Sequence, residues 1–254
     1  MPITDLGGPS MLRRLVAVAA ALAATALLPA TLSAPATAGT AADPMAGAPA
    51  VGDCFDITLA QAGKFANPED PVKCSNDHTS VVMRVGELPS RLDWDSPKDE
   101  LTKLASRVCL DAFDDKFGYD TLRYYRSQYQ WFWFAPTTAE RDAGARWFDC
   151  EISIRDDRGL IDLPRTLPRL TKKLPNVVAR CVTSKYAFTN CADTHEWRSS
   201  YAFYATGRAT ERNINAAANR VCPRHVTTPR RWLRSAWDVP GKRFIVGCYS
   251  HTRR

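Results

Sequence analysis

The chain has 254 residues, of which 45% are hydrophobic and 24% are charged, and its formal net charge is +7 at pH 7. This length is enough for one large domain or two small ones, each with a modest core. Only the N-terminal region contains an apolar run that approaches membrane-spanning length, which argues against a protein with several spans.

Residues 1–38 have the pattern of a secretory signal peptide. Met11-Leu-Arg-Arg14 supplies a positive start, an Ala/Leu/Val run follows from Leu15 to Leu32, and the segment ends in small residues at Ala38. We expect translation to start at Met11 and cleavage to follow Ala38, with an uncleaved membrane tether as the alternative. No cysteine stands near the cleavage region, so a lipid anchor is not expected. Residues 39–50 are predicted to be a disordered tail.

Two stretches of the chain carry the same motifs in the same order. Cys74-Ser-Asn-Asp-His78 has a counterpart in Cys191-Ala-Asp-Thr-His195, and each motif has one cysteine before it and two after it. Self-similarity of this kind predicts a tandem duplication. We call residues 51–157 the first copy and residues 176–254 the second copy. The Pro-rich, basic linker 158–175 between them is expected to be extended and partly stiff.

The elements of each copy follow from hydrophobic periodicity. The first copy predicts a strand over 81–85, a helix capped by Ser96, an aromatic strand over 130–134 and a last strand over 146–154. The second copy predicts a strand over 197–204, a helix stopped by Pro223 and a last strand over 243–250. The fold class is therefore α+β, with two repeated small domains, each an antiparallel sheet with one packed helix and two disulfides. The apolar stripes of the two helices are Leu101, Leu104, Ala105, Val108 and Ala112, and Ile214, Ala217, Ala218 and Val221.

Cysteine arithmetic narrows the disulfide pattern. An exported chain with eight cysteines is expected to form four bridges. If the two copies pair alike, three arrangements remain. We favour first with second and third with fourth, because the helix cysteine then bridges to the last strand and locks the helix onto the sheet. The predicted bridges are Cys54–Cys74, Cys109–Cys150, Cys181–Cys191 and Cys222–Cys248.

The Cys-x-x-x-His motif has three interpretations. Zinc accepts both residue types, but a site needs four ligands and a bridged cysteine supplies none. A Cys/His nucleophile pair needs a free thiolate, which a disulfide excludes. The favoured interpretation is structural: the cysteine is bridged, and His78 or His195 packs or hydrogen-bonds at the start of the following strand. The sequence thus predicts no metal site and no cofactor.

Several motifs of the first copy follow one another at characteristic positions. They are Gly52-Asp-Cys-Phe55, a second cysteine followed by His78, Val108-Cys109, and the tail from Trp133 to Cys150 with Pro136 and Arg146. In these motifs the chain resembles the septum-formation domain family of actinobacterial exported and membrane-tethered proteins, over residues 51–155 and more weakly over 178–250. In that family Pro usually precedes the histidine and an acid follows it, whereas this chain has Asp77 and Thr194 before it and an acid only at Glu196. The resemblance implies an envelope role near division septa.

Known catalytic motifs do not occur in the sequence, which has no Gly-x-Ser-x-Gly elbow, His-Glu-x-x-His pair, phosphate loop or dinucleotide glycine pattern. We therefore predict that the protein is not an enzyme. The alternative is a secreted hydrolase of cell-wall polymer, which would place Asp93 and Asp95, or His195 and Glu196, in a cleft.

Charge divides the chain sharply. The first copy with Ala50 holds 13 Lys/Arg against 20 Asp/Glu, net −7, whereas the second copy holds 14 against four, net +10. Such asymmetry favours an acidic partner for the second copy. Two alternatives remain: the oppositely charged copies attract each other, or the arginines are solvated and the tryptophans belong to the core. Arginine can bind anionic groups while tryptophan stacks on sugar rings. The predicted ligand-binding residues are Arg230, Arg231, Trp232, Arg234, Trp237, Lys242 and Arg243.

These observations predict an exported, extracytoplasmic, non-enzymatic binding module. Its expected partner is an anionic cell-wall polymer, a membrane surface or an envelope protein. The family resemblance also implies an association with cell division. Nucleic acid is not expected as a partner of an exported chain.

Overall fold

The computed structural model describes residues 43–67, 69–118 and 120–252. The predicted signal peptide and the first residues of the predicted tail lie outside these ranges. Within them, no helix combines the length and the apolar character needed to cross a membrane.

The first copy forms an antiparallel sheet with the strand order β1-β2-β4-β3, and β5 from the linker pairs with β4. Four helices accompany it, of which only α2 is long. The strands are β1 (Cys54–Phe55), β2 (Ser80–Glu87), β3 (Tyr129–Phe134), β4 (Trp147–Arg155) and β5 (Leu160–Ile161). The helices are α1 (Leu59–Ala62), α2 (Lys98–Phe117), α3 (Thr121–Tyr124) and α4 (Thr138–Asp142).

The second copy forms a second antiparallel sheet with the strand order β7-β6-β8-β10-β9. A single α-helix packs on it, and a short 3-10 turn follows. The predicted α+β fold class with antiparallel sheets is thereby confirmed. The elements are β6 (Arg180–Val182), β7 (Phe188–Asn190), β8 (Trp197–Thr206), α5 (Glu211–Val221), the 3-10 turn (Cys222–Arg224), β9 (Trp232–Val239) and β10 (Arg243–His251).

The helices begin and end where their local chemistry permits. Pro97, rather than the predicted Ser96, is the N-cap of α2, because the Ser96 hydroxyl oxygen accepts from Asp93 N–H at 3.0 Å instead of from the first turn of the helix. The helix ends at Gly118, which adopts a left-handed φ of 68° that glycine accepts without steric cost. Pro223 lies in the 3-10 turn directly after α5, as predicted for a helix stop.

All four predicted disulfides are present, and two of them tie a helix to a sheet. Cys109 of α2 bridges to Cys150 of β4, and Cys222 at the end of α5 bridges to Cys248 of β10. These four sulfur-bearing residues are each 0% exposed. The other bridges, Cys54–Cys74 and Cys181–Cys191, each join the first strand of a sheet to the Cys-x-x-x-His motif.

The linker packs against the first copy along its length. Leu163, Leu170 and Leu174 are buried in the same hydrophobic cluster as the α2 stripe. Two backbone hydrogen bonds then join the copies: Gln128 N–H donates to Val178 O, and Arg180 N–H donates to Arg126 O, both at 2.8 Å. The two sheets therefore meet where the end of α3 and the start of β3 face β6.

Candidate functional site: an inter-sheet pocket

The two motif histidines have the same environment. His78 is 6% exposed and its Nδ1 lies 2.8 Å from Asn76 O, while His195 is 4% exposed and its Nδ1 lies 2.7 Å from Asp193 O. In each copy the imidazole hydrogen-bonds the carbonyl two residues before it and closes the turn that leads into β2 or β8. This is the hydrogen-bonded structural arrangement favoured from the sequence.

Metal binding at this motif is limited by the disulfide. The ligand atoms of Cys181, Cys191 and His195 lie within 4.8 Å of one another. Both cysteines are consumed by their mutual bridge, however, and a disulfide has no thiolate to offer zinc. In the oxidised chain this group leaves one imidazole, which is too few ligands for a structural zinc site.

The seven residues predicted to bind a ligand are spread over both faces of the second sheet. Because side chains alternate along a strand, Trp232 and Arg234 face α5, where Arg234 pairs with Glu211 and Asn215. Trp237 points to the opposite face, towards the first copy. The remaining four are exposed on loops or the start of β10: Arg230, Arg231, Lys242 and Arg243.

Two of the exposed arginines already contact aromatic rings. The Arg231 guanidinium lies 5.5 Å from the Trp197 ring centroid, and that of Arg243 lies 4.6 Å from the Tyr204 ring centroid. The seven side chains thus do not converge on one ligand. Trp237 alone among them lines the cavity between the two sheets.

That cavity, which we call the inter-sheet pocket, has a volume of about 410 Å³. One wall comes from β3 and the end of β4, and the other comes from the β6–β7 hairpin and β9. Aromatic rings, amides and both signs of charge line it, a composition typical of sites that bind polar ligands with a ring face. The lining residues are Gln128, Gln130, Arg155, Asp157, Arg180, Tyr186, Ala187, Phe188 and Trp237.

Arg180 is the buried charge of this pocket. It is 6% exposed, and its guanidinium carbon lies 5.1 Å from the ring centroids of both Phe188 and Trp237. Its Nε donates to Ser127 O at 2.8 Å and to Gln128 Oε1 at 3.0 Å. Within the described part of the chain no carboxylate lies within ion-pair distance of Arg180. Burial lowers the pKa of Arg180 below its ordinary value, which is the cost of holding this charge without an anion.

A second arginine adds to the positive potential beside the pocket. Arg126 is partly buried, and its Nε is buried without a hydrogen-bond partner. Its pKa is lowered first by burial and then by the charges of Arg198 and Arg123. Several guanidinium groups therefore lie close together where the copies meet, and an anion there would relieve their mutual repulsion.

Tyr186 stands at the tip of the β6–β7 hairpin at the rim of the pocket. Its side chain is 69% exposed, and its backbone has a φ of 63°. A bulky residue is rare in that conformation and costs about 1–3 kcal/mol. An exposed aromatic ring held at such a cost, next to a charged pocket, is the kind of outlier that marks a binding surface.

Sequence reasoning missed Arg180, Tyr186 and Phe188. The sequence gives only weak indications of these residues. Arg180 stands directly before the first cysteine of the second copy, and Tyr186 and Phe188 are aromatic residues in an otherwise mostly polar segment. Only the packing of β6 against the first copy shows that these side chains share one cavity with Gln128 and Trp237.

Comparison of the chain with family models, curated proteins and solved structures found no match in any of the three. The resemblance to the septum-formation domain family stays a sequence-based prediction. The tandem duplication also stays a prediction.

Proposed function

We propose that this protein is an exported, non-catalytic binding module of the cell envelope whose inter-sheet pocket holds a negatively charged saccharide unit of a wall polymer. Four disulfides fit an oxidising, extracytoplasmic compartment. An association with the division septum rests on the family resemblance and belongs to the same proposal.

The observation that carries the proposal is the uncompensated charge of Arg180. A buried guanidinium is normally matched by a carboxylate, because its desolvation is otherwise too costly. Here the guanidinium carbon lies 5.1 Å from the ring centroids of both Phe188 and Trp237, and its Nε is bonded to neutral oxygens. A ligand carboxylate or phosphate beside Arg180 would supply the missing anion, and arginine binds both groups in a bidentate fashion.

The aromatic residues argue for a saccharide rather than a bare anion. Tyr186, Phe188 and Trp237 present ring faces of the kind that cover sugar rings, and Gln130 and Asp157 can bond to hydroxyl groups. The net charge of +10 in the second copy would attract an acidic polymer over longer distances.

The hydrolase alternative finds no support at the residues from which it was inferred. Asp93 Oδ1 accepts hydrogen bonds from Asp95 N at 3.1 Å and from Ser96 Oγ at 2.9 Å, so it closes an exposed turn. The His195 ring is bonded to its own turn. None of these side chains, nor that of Glu196, lines the inter-sheet pocket.

The test is co-sedimentation of the exported, oxidised chain with isolated cell walls over a salt series. Binding is expected to weaken as salt rises, because the attraction is between exposed and partly buried charges. Tyr186→Ser is expected to weaken binding by about two- to tenfold, the loss of one aromatic contact of about 0.5–1.5 kcal/mol.

Tyr204→Ser is the matched control, since Tyr204 is also an exposed aromatic of the second copy but lies outside the pocket. Polygalacturonate and neutral dextran, tested with the same variants, separate charge from sugar recognition. The proposal is wrong if the chain does not co-sediment with cell walls at low salt. It is also wrong if Tyr186→Ser and Tyr204→Ser bind cell walls equally well. Binding to walls stripped of polysaccharide would point instead to an envelope protein.

A further inference from the structure

A second cavity, in the first copy, is lined by acidic side chains. It has a volume of about 270 Å³ and lies on the face of the sheet opposite α2. We call it the acidic pocket. Its carboxyl groups belong to Asp53, Glu69, Asp70, Glu140, Asp149 and Glu151, and no lysine or arginine lines it.

The innermost pair, Asp149 and Glu151, comes from alternate positions of β4 on either side of Cys150. Asp149 is 2% exposed and Glu151 is 0% exposed. Glu151 is well bonded: Asn67 donates to its Oε1 at 3.2 Å, and the Ser80 hydroxyl donates to its Oε2. Asp149 Oδ1, in contrast, is buried with no hydrogen-bond partner in the described structure. The Asp149 and Glu151 carboxyl groups also hydrogen-bond to each other, but Oδ1 is left without a donor, and a donor from outside the chain would satisfy it.

Among the described residues, no lysine or arginine pairs with this group of acids. None of the six carboxyl groups takes part in an ion pair among the described residues. The outer acids are bonded only to neutral donors, for example Asp53 to Ala50 N at 2.7 Å and Glu69 to Gln61 Nε2 at 2.6 Å. Burial raises the pKa of Asp149 well above its ordinary value, and the neighbouring Glu151 raises it further. Burial also raises the pKa of Glu151.

The shape of the pocket favours an organic cation over a metal ion. Calcium and magnesium need several oxygens that converge on one point. In the described part of the chain, convergence of three or more ligand atoms within 4.8 Å is found at Cys181, Cys191 and His195, and not among these acids. The volume is also several times the roughly 30 Å³ share of one water.

The walls add a second reason. Phe55, Phe134 and Trp147 are buried hydrophobic residues that line the pocket together with Pro49 and Pro71. Such a surface suits the methylene stem of an amine, since lysine stems pack on apolar surface while their charged ends seek polar groups. An ammonium group has three donors and no acceptor, which matches a site where the inner oxygen Asp149 Oδ1 lacks a donor.

We propose that the acidic pocket binds a primary alkylammonium group, with Asp149 Oδ1 as its inner acceptor. The site is separate from the inter-sheet pocket and does not depend on the saccharide proposal. Because the inner pair holds a proton more tightly than isolated carboxyl groups do, binding of the ammonium group is expected to release protons.

The test is titration calorimetry of the exported, oxidised chain with n-pentylamine, with Nα-acetyl-lysine amide and with calcium chloride. Repeating each titration in two buffers of different ionisation enthalpy measures proton release. We expect both amines to bind with proton release, and calcium not to displace them. Binding of the lysine derivative alone would identify a peptide side chain as the source of the amine, and binding of both would show that a free amine suffices.

Three variants make the result specific. Asp149→Asn is expected to lower amine affinity by at least about tenfold, the loss of a charged hydrogen bond. Asp70→Asn, at the exposed rim where folding is not at risk, is expected to lower it about two- to threefold. Asp111→Asn, an exposed acid of α2 outside the pocket, is the matched control and should change nothing.

Each of three outcomes would overturn the proposal. The first is that wild type binds neither amine. The second is that calcium binds and displaces the amine, which would make the pocket a metal site. The third is that Asp149→Asn and Asp70→Asn both bind as well as Asp111→Asn. Circular dichroism of each variant shows whether a loss of binding is a loss of fold, and Asp70→Asn decides the matter if Asp149→Asn does not fold.

Discussion

The last strand of each copy carries a bridged cysteine between two residues that face away from the helix, and those residues differ completely. In the first copy they are Asp149 and Glu151, on either side of Cys150; in the second they are Gly247 and Tyr249, on either side of Cys248. The helix-facing side is alike in both copies, with the bridge to Cys109 or Cys222 in a hydrophobic cluster. One side of the strand thus maintains the fold, and the other is available for binding.

The glycine of the second copy opens space for an aromatic site. A Cβ atom at Gly247 would lie 2.9 Å from Ser235 Oγ and 3.2 Å from both the Trp237 and the Tyr249 rings. Only glycine therefore lets Trp237 pack over this strand and reach Arg180. In the first copy, this side of the last strand carries a buried carboxyl pair and lines an acidic pocket. In the second copy, glycine stands at the first of these positions, and the neighbouring pocket is aromatic and basic.

The largest expected effect tests what the two copies share. Replacing Cys109 and Cys150 together by alanine removes a bridge between residues 41 apart and is expected to lower the free energy of unfolding by about 4 kcal/mol. The matching double variant at Cys222 and Cys248, 26 residues apart, should lose about 3.5 kcal/mol. Denaturant unfolding measures both values. A loss below about 1 kcal/mol in either case would mean that the bridge is not what holds the helix to the sheet.

The next effect moves a residue of the first copy into the second. Gly247→Asp is expected to destabilise the protein by about 3 kcal/mol, because it crowds Ser235 and Trp237 and buries a carboxylate. Gly247→Asn has nearly the same size without the charge, so the difference between the two variants isolates electrostatics. Gly159→Ala is the control, since a Cβ atom there meets nothing within 4 Å. Equal thermal unfolding midpoints for Gly247→Asp and Gly159→Ala would contradict the steric account.

The comparison also shows what could be read from the sequence. The cysteine order left three arrangements, and the predicted contact of each helix with the last strand selected the one that forms. The apolar stripes of α2 and α5 located both helices. These features depend on local periodicity and on covalent pairing, which a sequence displays directly. The predicted cap of α2 was wrong because the Asp93 backbone N–H, rather than an N–H of the helix, donates to the Ser96 hydroxyl oxygen. Composition does not resolve this choice between two local bonds.

The pockets were less accessible to sequence reasoning, for a physical reason. Arg230 to Arg243 form the densest basic stretch, yet strand alternation sends Trp232 and Trp237 to opposite faces. Arg180 was missed because its role depends on Gln128 and Ser127, which are more than 50 residues away in the chain. Asp149 and Glu151 alternate with buried residues on β4 and so resemble the polar face of an ordinary half-exposed strand.

A smaller effect is the pH dependence of the free energy of unfolding, which tests the role of the carboxyl pair in the first copy. The folded-state pKa of Asp149 is raised above its ordinary value of 3.8, so the folded state holds a proton that the unfolded state has lost. Stability from this group is therefore full below about pH 4 and is lost as pH rises through the folded pKa, by at most about 1.4 kcal/mol per pH unit for one proton.

Asp149→Asn removes that loss. The variant should gain stability relative to wild type as pH increases from 4 to 8, while at pH 4 the two chains should unfold at similar denaturant concentrations. Denaturant unfolding at a series of pH values measures the difference. Asp111→Asn should run parallel to wild type at every pH. A constant offset between Asp149→Asn and wild type would mean that Asp149 titrates alike in the folded and unfolded chains.

The smallest effect concerns the rim of the second pocket. Tyr186 and Lys242 both have positive φ values, 63° and 53°, and both sit at the tips of turns in the second copy. Asparagine tolerates this conformation better than either residue, so Tyr186→Asn and Lys242→Asn should each raise the free energy of unfolding by about 0.5–1 kcal/mol. Only Tyr186→Asn should also weaken binding to cell walls. If Tyr186 were merely a strained surface residue, both variants would gain stability and bind walls like wild type; a gain of stability coupled to a loss of binding at Tyr186 alone would show that the strain is retained for the ligand.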